Sequence, residues 1–376
     1  MFLTEEQTMM KKVARDIALE KIAPRAKEVD ETGEFPWDNI RLLAENGFFG
    51  VHVPEAYGGI GSDMVSHTLV VEEIAAACAS TSVSLSTQAL AIAPFLIGGT
   101  EEQKKRYVTP LATGEVLGSF GITEPGAGSD VSSLRTTAKK DGDDYILNGQ
   151  KVFITNAGES EIYVFVARTS EHRTKGVSLF IVEKGTPGLS FGKKEDKMGI
   201  RGSTTRDVIL ENVRVPKENL LGEEGAGFTI LMNVFNETRP VVGAQALGIA
   251  RGAFDYVLQY VQERKQFGKP ISDFQMVQGM LSDMAMQIEA AKLLVYQAAQ
   301  MLDRKQHDVA MYSSMAKCFA SDTAMKVTTD AVQLMGGYGY IKEYPVERMM
   351  RDAKITQIYE GTNQIQRVII AKELLK

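Results

Sequence analysis

Near the C-terminus a single carboxylate, Glu360, is followed at once by Gly361, inside QIYEGTNQIQR at 357–367. A carboxylate on a glycine turn is either a solvated loop charge or a base aimed at a substrate. Glycine allows the chain to turn tightly and to approach a ligand without a Cβ in the way. Few other residues compete for a chemical role. The four histidines, His52, His67, His172 and His307, are scattered without ligand spacing and read as surface or packed residues. GxSxG, HExxH and a phosphate-loop lysine are absent, and no glycine cluster forms GxGxxG after a strand. A hydrolase triad, a zinc site and a Rossmann nucleotide site therefore lack support. Cys78 and Cys318 lie far apart and outside any CxxC, which argues against a disulfide or a cysteine metal site.

The elements that must position such a carboxylate change character twice along the 376 residues. Residues 1–115 read as helical. Thr4 and Gln7 have capping-box spacing, as do Thr100 and Gln103, and DNIRLLAENGFFG ends a helix at a glycine. MVSHTLVVEEIAAACAST reads as another mostly apolar helix. Residues 116–225 are β-rich, with EIYVFVARTS, GVSLFIVEKG and TRDVILENVRVP separated by turn residues. Within DDYILNGQKVFITNA, Asn148-Gly149 predicts a hairpin. Residues 226–376 return to long helices with apolar steps of three and four, such as Leu247, Ala250, Phe254, Leu258 and Val261. The expected class is α+β: an N-terminal helical domain, a middle antiparallel β-domain and a C-terminal four-helix bundle.

Composition is that of an ordinary globular protein, 44% hydrophobic and 24% charged. A net charge of −6 argues against a nucleic-acid surface. The N-terminus lacks the pattern of a signal or transit peptide, and no apolar run reads as long enough to cross a bilayer. The expected location is the cytoplasm of a prokaryote; a mature mitochondrial enzyme without its leader would look the same.

Further stretches have both a plain and a functional reading. In FGITEPGAGSD at 120–130, Gly126 to Ser129 can form a nest of backbone N–H groups or a simple turn. Phe153 beside Thr155, in VFITNAG at 152–158, reads as core plus turn. Together these stretches, with ERKQFGKPISDFQ at 263–275, AVQLMGGYGYIKEYPVERMMRDAKI at 331–355 and YEGTNQIQR, resemble the acyl-CoA dehydrogenase family of flavoproteins over essentially the whole chain and in the same order. GKKEDKMGIRGSTT and DAKITQIYEGTN are similar to the short- and medium-chain, butyryl-type branch.

The resemblance implies FAD bound between the β-domain and the helical domains. Phe120, Ile122, Thr123 and Ser129 would line the flavin and the adjacent acyl-CoA. Phe153, Ile154 and Thr155 would meet the isoalloxazine ring. Arg264, Gln266, Phe274 and Gln275 would reach FAD of a neighbouring subunit, with Gln333, Gly336 and Gly337 beside its diphosphate and adenosine end. Thr362 and Gln364 would hold the cofactor again. Phe235, Asn236 and Arg239 would face the CoA moiety, as would Ser129, while Tyr359 and Gly361 would adjoin the substrate. Plain readings stand beside these. Arg264 suits a helix end, Gly336 and Gly337 can cap a helix, and Thr362 can be an N-cap.

The implied reaction is α,β-dehydrogenation of an acyl-CoA thioester in fatty-acid β-oxidation. Glu360 takes the α proton, flavin takes the β hydride and electrons pass to electron-transfer flavoprotein. Such a base needs burial to raise its pKa and donors at the thioester oxygen. Some branches of the family carry the base at the position of Thr238; threonine cannot serve, and Glu237, about 100° further round a helix, should point elsewhere. Two alternatives are an acyl-CoA oxidase using oxygen and a non-catalytic acyl-CoA-binding protein of the same fold. Oxidases of the family are often longer, with an added C-terminal domain for which this chain has no room. A homotetramer, a dimer of dimers, is implied as well.

Overall fold

The computed structural model describes residues 3–376. Thr4 opens α1 (Glu5–Ile17) with a complete capping box to Gln7. Helix α2 (Ala26–Thr32) follows, and α3 (Trp37–Glu45) stops before the left-handed Gly47. Asp63 caps α4 (Met64–Ala77), which the extended backbone of Cys78 separates from α5 (Ala79–Gly98). Short α6 (Glu101–Gln103), again opened by a capping box from Thr100, and α7 (Thr109–Thr113) lead into the sheet.

Helix α5 corrects one expectation. It is long and apolar enough, by length and composition, to cross a bilayer. Most of it is buried among neighbouring helices and β1, and a core helix enclosed on all sides is apolar all round for that reason.

The β-domain holds β1 (Gly118–Gly121), β2 (Thr137–Asp141), β3 (Asp144–Thr155), β4 (Ile162–Arg168), β5 (Val177–Glu183), β6 (Leu189–Lys194), β7 (Thr205–Pro216) and β8 (Leu220–Leu221). Strand order is β6-β7-β3-β2-β4-β5-β8, with β1 parallel to β4. Pairing is antiparallel apart from β1 and β2 on β4. Asn148-Gly149 is not a hairpin turn. It lies inside β3 as a bulge against β7, and the β2–β3 reversal falls at Gly142. Local turn chemistry lost to tertiary packing here: a Cβ on Gly149 would sit 2.4 Å from Thr136 Oγ1, so the glycine admits a neighbouring strand.

The C-terminal part comprises α8 (Gly227–Glu263), a small hairpin of β9 (Lys265–Gln266) and β10 (Lys269–Pro270), α9 (Gln275–Asp303), α10 (Val309–Met335), α11 (Gly337–Tyr340), α12 (Val346–Thr356) and α13 (Asn363–Leu374). Helix α10 packs on α8, α9, α12 and α13, which makes the expected bundle. Both helical regions share one core, to which Leu69 and Ile74 contribute from one side and Leu247, Val295 and Val346 from the other. The β-domain has its own core around Phe165 and Phe180, and a third cluster joins β1 and β4 to α5 and the start of α8. The loops at that seam and the end of α12 converge on the site described next.

Candidate active site

Helix α12 ends at Thr356 and α13 begins after Thr362, whose side chain caps it at Ile365 N, so the connection between them is short. Its turn places two consecutive residues in the left-handed region, Glu360 at φ 55° and Gly361 at φ 87°. Glycine tolerates this; a glutamate there is strained, and such strain persists only where surrounding contacts hold it. Two fully buried side chains supply them. Gln366 Nε2 donates to the carbonyls of Glu360 and Gly361, both at 3.0 Å, and Lys317 Nζ on α10 donates to the Gly361 carbonyl at 2.7 Å. Tyr359 donates its hydroxyl to Gln245 Oε1 on α8. Lys317, Gln366 and Gln245 escape a reading of residue types, because their roles depend on which helix faces the turn.

Thr238 and Arg239 of α8 approach the Glu360 carboxylate from the other side. The Thr238 hydroxyl lies 3.2 Å from Oε2. Burial pushes the Glu360 carboxyl above the ordinary glutamate value, opposed by the Thr238 hydrogen bond and by the cations of Arg239 and Lys317. Burial pushes Arg239 down to about 10, against the pull of Glu360. Its guanidinium reaches Asn236 Oδ1 at 3.3 Å and lies 5.5 Å from the Phe235 ring. Arg239 Nε is buried and has no protein partner among the described residues. Glu237 points elsewhere, as its place on the helix requires. It lines a cleft with Asn233, Asn236, His307 and Lys376, where burial raises it to about 7.

In the β-domain, Phe120 is buried in β1, and Ile122 packs in one cluster with Phe235 of α8. That shared cluster ties the strand end to the helix carrying Thr238. Thr123 accepts Val152 N–H at 2.8 Å through its carbonyl, and Ser129 is exposed. The nest reading is corrected: neither Gly126 nor Gly128 has a positive φ, and Ala127 N–H is spent on the Glu124 carbonyl. The turn is instead held by a pair that sequence reasoning missed, Lys151 and Glu124, buried and 2.7 Å apart. Phe153 is not core either. A second bulge in β3 gives it φ 59° and leaves it 66% exposed, with Ile154 buried and Thr155 half-buried behind it. An exposed phenyl ring on a strained strand end offers a face to a flat ligand. Next to it Asn156 is fully buried with neither amide atom paired among the described residues.

Arg264, Gln266, Gln333, Gly336 and Gly337 come together in a second cleft of about 450 Å³ with Tyr260 and Tyr338. Gly336 and Gly337 have open space where a Cβ would stand, and Arg264 lies 5.3 Å from the Tyr338 ring. Glycines beside an arginine that has no ion pair among the described residues suit an anionic ligand that approaches the backbone closely. The plain readings hold too, since Arg264 ends α8 and Gly336 ends α10. Phe274 and Gln275 start α9 beside the exposed β9–β10 hairpin, and Gln364 is exposed on α13. No hydrogen bond of the described chain links this cleft to Glu360.

Three family descriptions match the chain in succession: acyl-CoA dehydrogenase N-terminal domain at residues 4–115, middle domain at 119–213 and C-terminal domain at 225–375. An acyl-CoA dehydrogenase of Bacillus subtilis is 50% identical over 100% of this chain and 99% of its own. The solved structure of butyryl-CoA dehydrogenase from Megasphaera elsdenii is 46% identical with a TM-score of 0.98, over 100% of both chains. A chain of a structure described as electron transferring flavoprotein of Acidaminococcus fermentans is 50% identical with a TM-score of 0.98, over 100% of this chain and 99% of that one. A prolyl acyl carrier protein oxidase, AnaB, is 33% identical with a TM-score of 0.95 and is matched over 100% of its length. That overturns the use of chain length against an oxidase, because an oxidase of this fold needs no added domain. With its helix–sheet–helix order, its three matched domains and relatives covered end to end, the chain is an oxidoreductase of the acyl-CoA dehydrogenase family.

Proposed function

We propose that the protein is an FAD-dependent acyl-CoA dehydrogenase in which Glu360 is the base. The observation that carries this is a desolvated carboxyl group held on a strained turn, flanked by a threonine hydroxyl and an arginine with an unpaired buried N–H. Desolvation makes a carboxylate basic enough to take a proton from the carbon next to a thioester. The Glu360 backbone N–H donates to no protein acceptor among the described residues, so it is free for the thioester oxygen as charge develops there. Thr238 would fix the carboxylate rotamer, and Arg239 with Asn236 would meet the polar part of the CoA chain.

The chemistry FAD supplies when bound is acceptance of the β hydrogen as hydride. Phe153, Ile154 and Thr155 would lie along its ring, with Phe120, Ile122, Thr123 and Ser129 beside them. Arg264, Gln266, Gln333, Gly336 and Gly337 would receive the diphosphate end from another copy of the chain, with Phe274 and Gln275 at the edge. That arrangement fits a homotetramer, which sedimentation of the holoprotein checks. The similarity to butyryl-CoA dehydrogenase supports a short straight acyl chain, and the similarity to a chain of an electron transferring flavoprotein structure supports that class of acceptor. The bacterial relatives support a bacterial cytoplasm.

Glu360→Gln should keep flavin absorbance but lose at least about a hundredfold in dehydrogenation with an artificial acceptor. Near wild-type turnover would remove Glu360 from the role. The oxidase reading is separated by stopped flow: fast reoxidation of the acyl-CoA-reduced protein by air would favour it over the dehydrogenase.

A further inference from the structure

Lys317 stands in the middle of the bundle on α10 and is 0% exposed. Its ammonium donates to the Gly361 carbonyl at 2.7 Å and to Asn363 Oδ1 at 2.8 Å, and it forms no ion pair among the described residues. A buried ammonium with only neutral acceptors is costly, and an apolar residue would fill the same space without that penalty. Its surroundings explain where the charge is directed. Asn363 is itself pinned by Ser321 at 2.8 Å and Asp322 at 2.7 Å, and Asp322 is occupied by Arg367 at 2.6 Å. Asp322 therefore stands behind a neutral amide; the other carboxylate that faces Lys317 is Glu360, with the Cys318 thiol and the Arg239 guanidinium also facing it.

Resting on the reading of Glu360 as the base, we infer that Lys317 is a positioning residue: it locks the left-handed Glu360–Gly361 turn and keeps a fixed cation behind the carboxylate. Gln366 holds the Gly361 carbonyl too, together with that of Glu360, but carries no charge. The pair thus divides the task, Gln366 shaping the turn and Lys317 shaping it while adding a field. The groups facing Glu360 are Thr238 and Arg239 from α8, Lys317 from α10 and Tyr359 from its own turn. Burial lowers Lys317 to about 8, so it stays mostly protonated at neutral pH. Removing its cation leaves the Thr238 hydrogen bond and Arg239 to oppose the desolvation of the carboxylate.

The test compares Lys317→Met and Lys317→Gln with Gln366→Leu in the flavin-loaded holoprotein. For both lysine variants the acid limb of kcat/KM should move up by about one pH unit, and kcat at neutral pH should fall about tenfold or more. For Gln366→Leu, kcat should fall while the limb stays in place. A second readout does not need turnover: the carbonyl stretch of the protonated Glu360, isolated by infrared difference against Glu360→Gln, should titrate at higher pH in Lys317→Met. Folded lysine variants whose limb and infrared titration coincide with wild type would overturn the inference, and so would failure of both to fold, which would place Lys317 in core stability alone. If Glu360→Gln still turns over, the reading of the base has failed instead.

Discussion

Glu360 and Gly361 form the reactive corner through backbone conformation as much as through side-chain chemistry. Both sit at positive φ, and a Cβ on Gly361 would fall 2.7 Å from Gln366 Nε2. Gly361→Ala should therefore destabilise the protein by about 1–2 kcal/mol, visible as a lower melting midpoint. It should also reduce kcat at least about tenfold, because the carboxylate moves off its line to the substrate. A variant with unchanged midpoint and kcat would show that the turn is not strained. The pH profile belongs to the same scale. A base must be ionised to act, and burial raises the Glu360 carboxyl. Activity should thus fall on the acid side at a pH above the ordinary glutamate range, and kcat/KM measured across acidic buffers reads that limb.

At the scale of the element, β3 shows how a strand can serve a site by being irregular. Its two bulges set Gly149 against Thr136 and turn Phe153 out of the sheet. Between the bulges, Lys151 reaches back to Glu124 at 2.7 Å and to the Ile122 carbonyl at 3.1 Å, while Glu124 also accepts Arg135 N at 2.5 Å and Thr136 N at 2.9 Å. One buried ion pair thus fixes the loop that carries Ile122 and Thr123 against the strand that carries Phe153. Lys151→Met strands Glu124 as a buried charge, for which a loss of about 3–5 kcal/mol is expected. Denaturant unfolding measures that loss, and flavin retention on gel filtration should decline with it. A change within about 0.5 kcal/mol would assign the pair no structural weight.

For the whole molecule, α12 is the tie between three regions. Arg351 pairs with Asp30 of α2 at 2.6 Å and donates to the Met198 carbonyl at 3.0 Å, while its neighbour Asp352 accepts Ile200 N at 2.5 Å. The helix that leads into the Glu360 turn is thereby anchored to the N-terminal helices and to the β-domain together. Burial raises Asp352 to about 6, opposed by the Ile200 hydrogen bond and the nearby Arg348. The folded protein then binds this proton more tightly than the unfolded chain. Its stabilising effect is complete below about pH 4 and is lost as pH rises through about 6, a change of about 3 kcal/mol. Relative to wild type, Asp352→Asn should lose its disadvantage as pH rises from 4.5 to 6.5, with no further change above. Parallel melting curves across that range would contradict the assignment.

Much of this was already dictated by residue type and spacing. Capping boxes at Thr4 and Thr100, the glycine stop after α3 and the helix–sheet–helix order all follow from local conformational preference and periodicity, which act over a few residues; Glu360 beside Gly361 stood out as a candidate only through the family resemblance of the stretches around it. Tertiary contact decided the rest. Asn148-Gly149 has the chemistry of a turn, yet the approach of Thr136 made it a bulge; Phe153 has the chemistry of a core residue, yet a bulge expelled it. Lys317, Gln366 and Lys151 have no local signature, because a buried polar side chain acquires its role only from the partners that the fold brings to it, and those lie 27 to 46 residues away for the lysines and across the turn before α13 for Gln366.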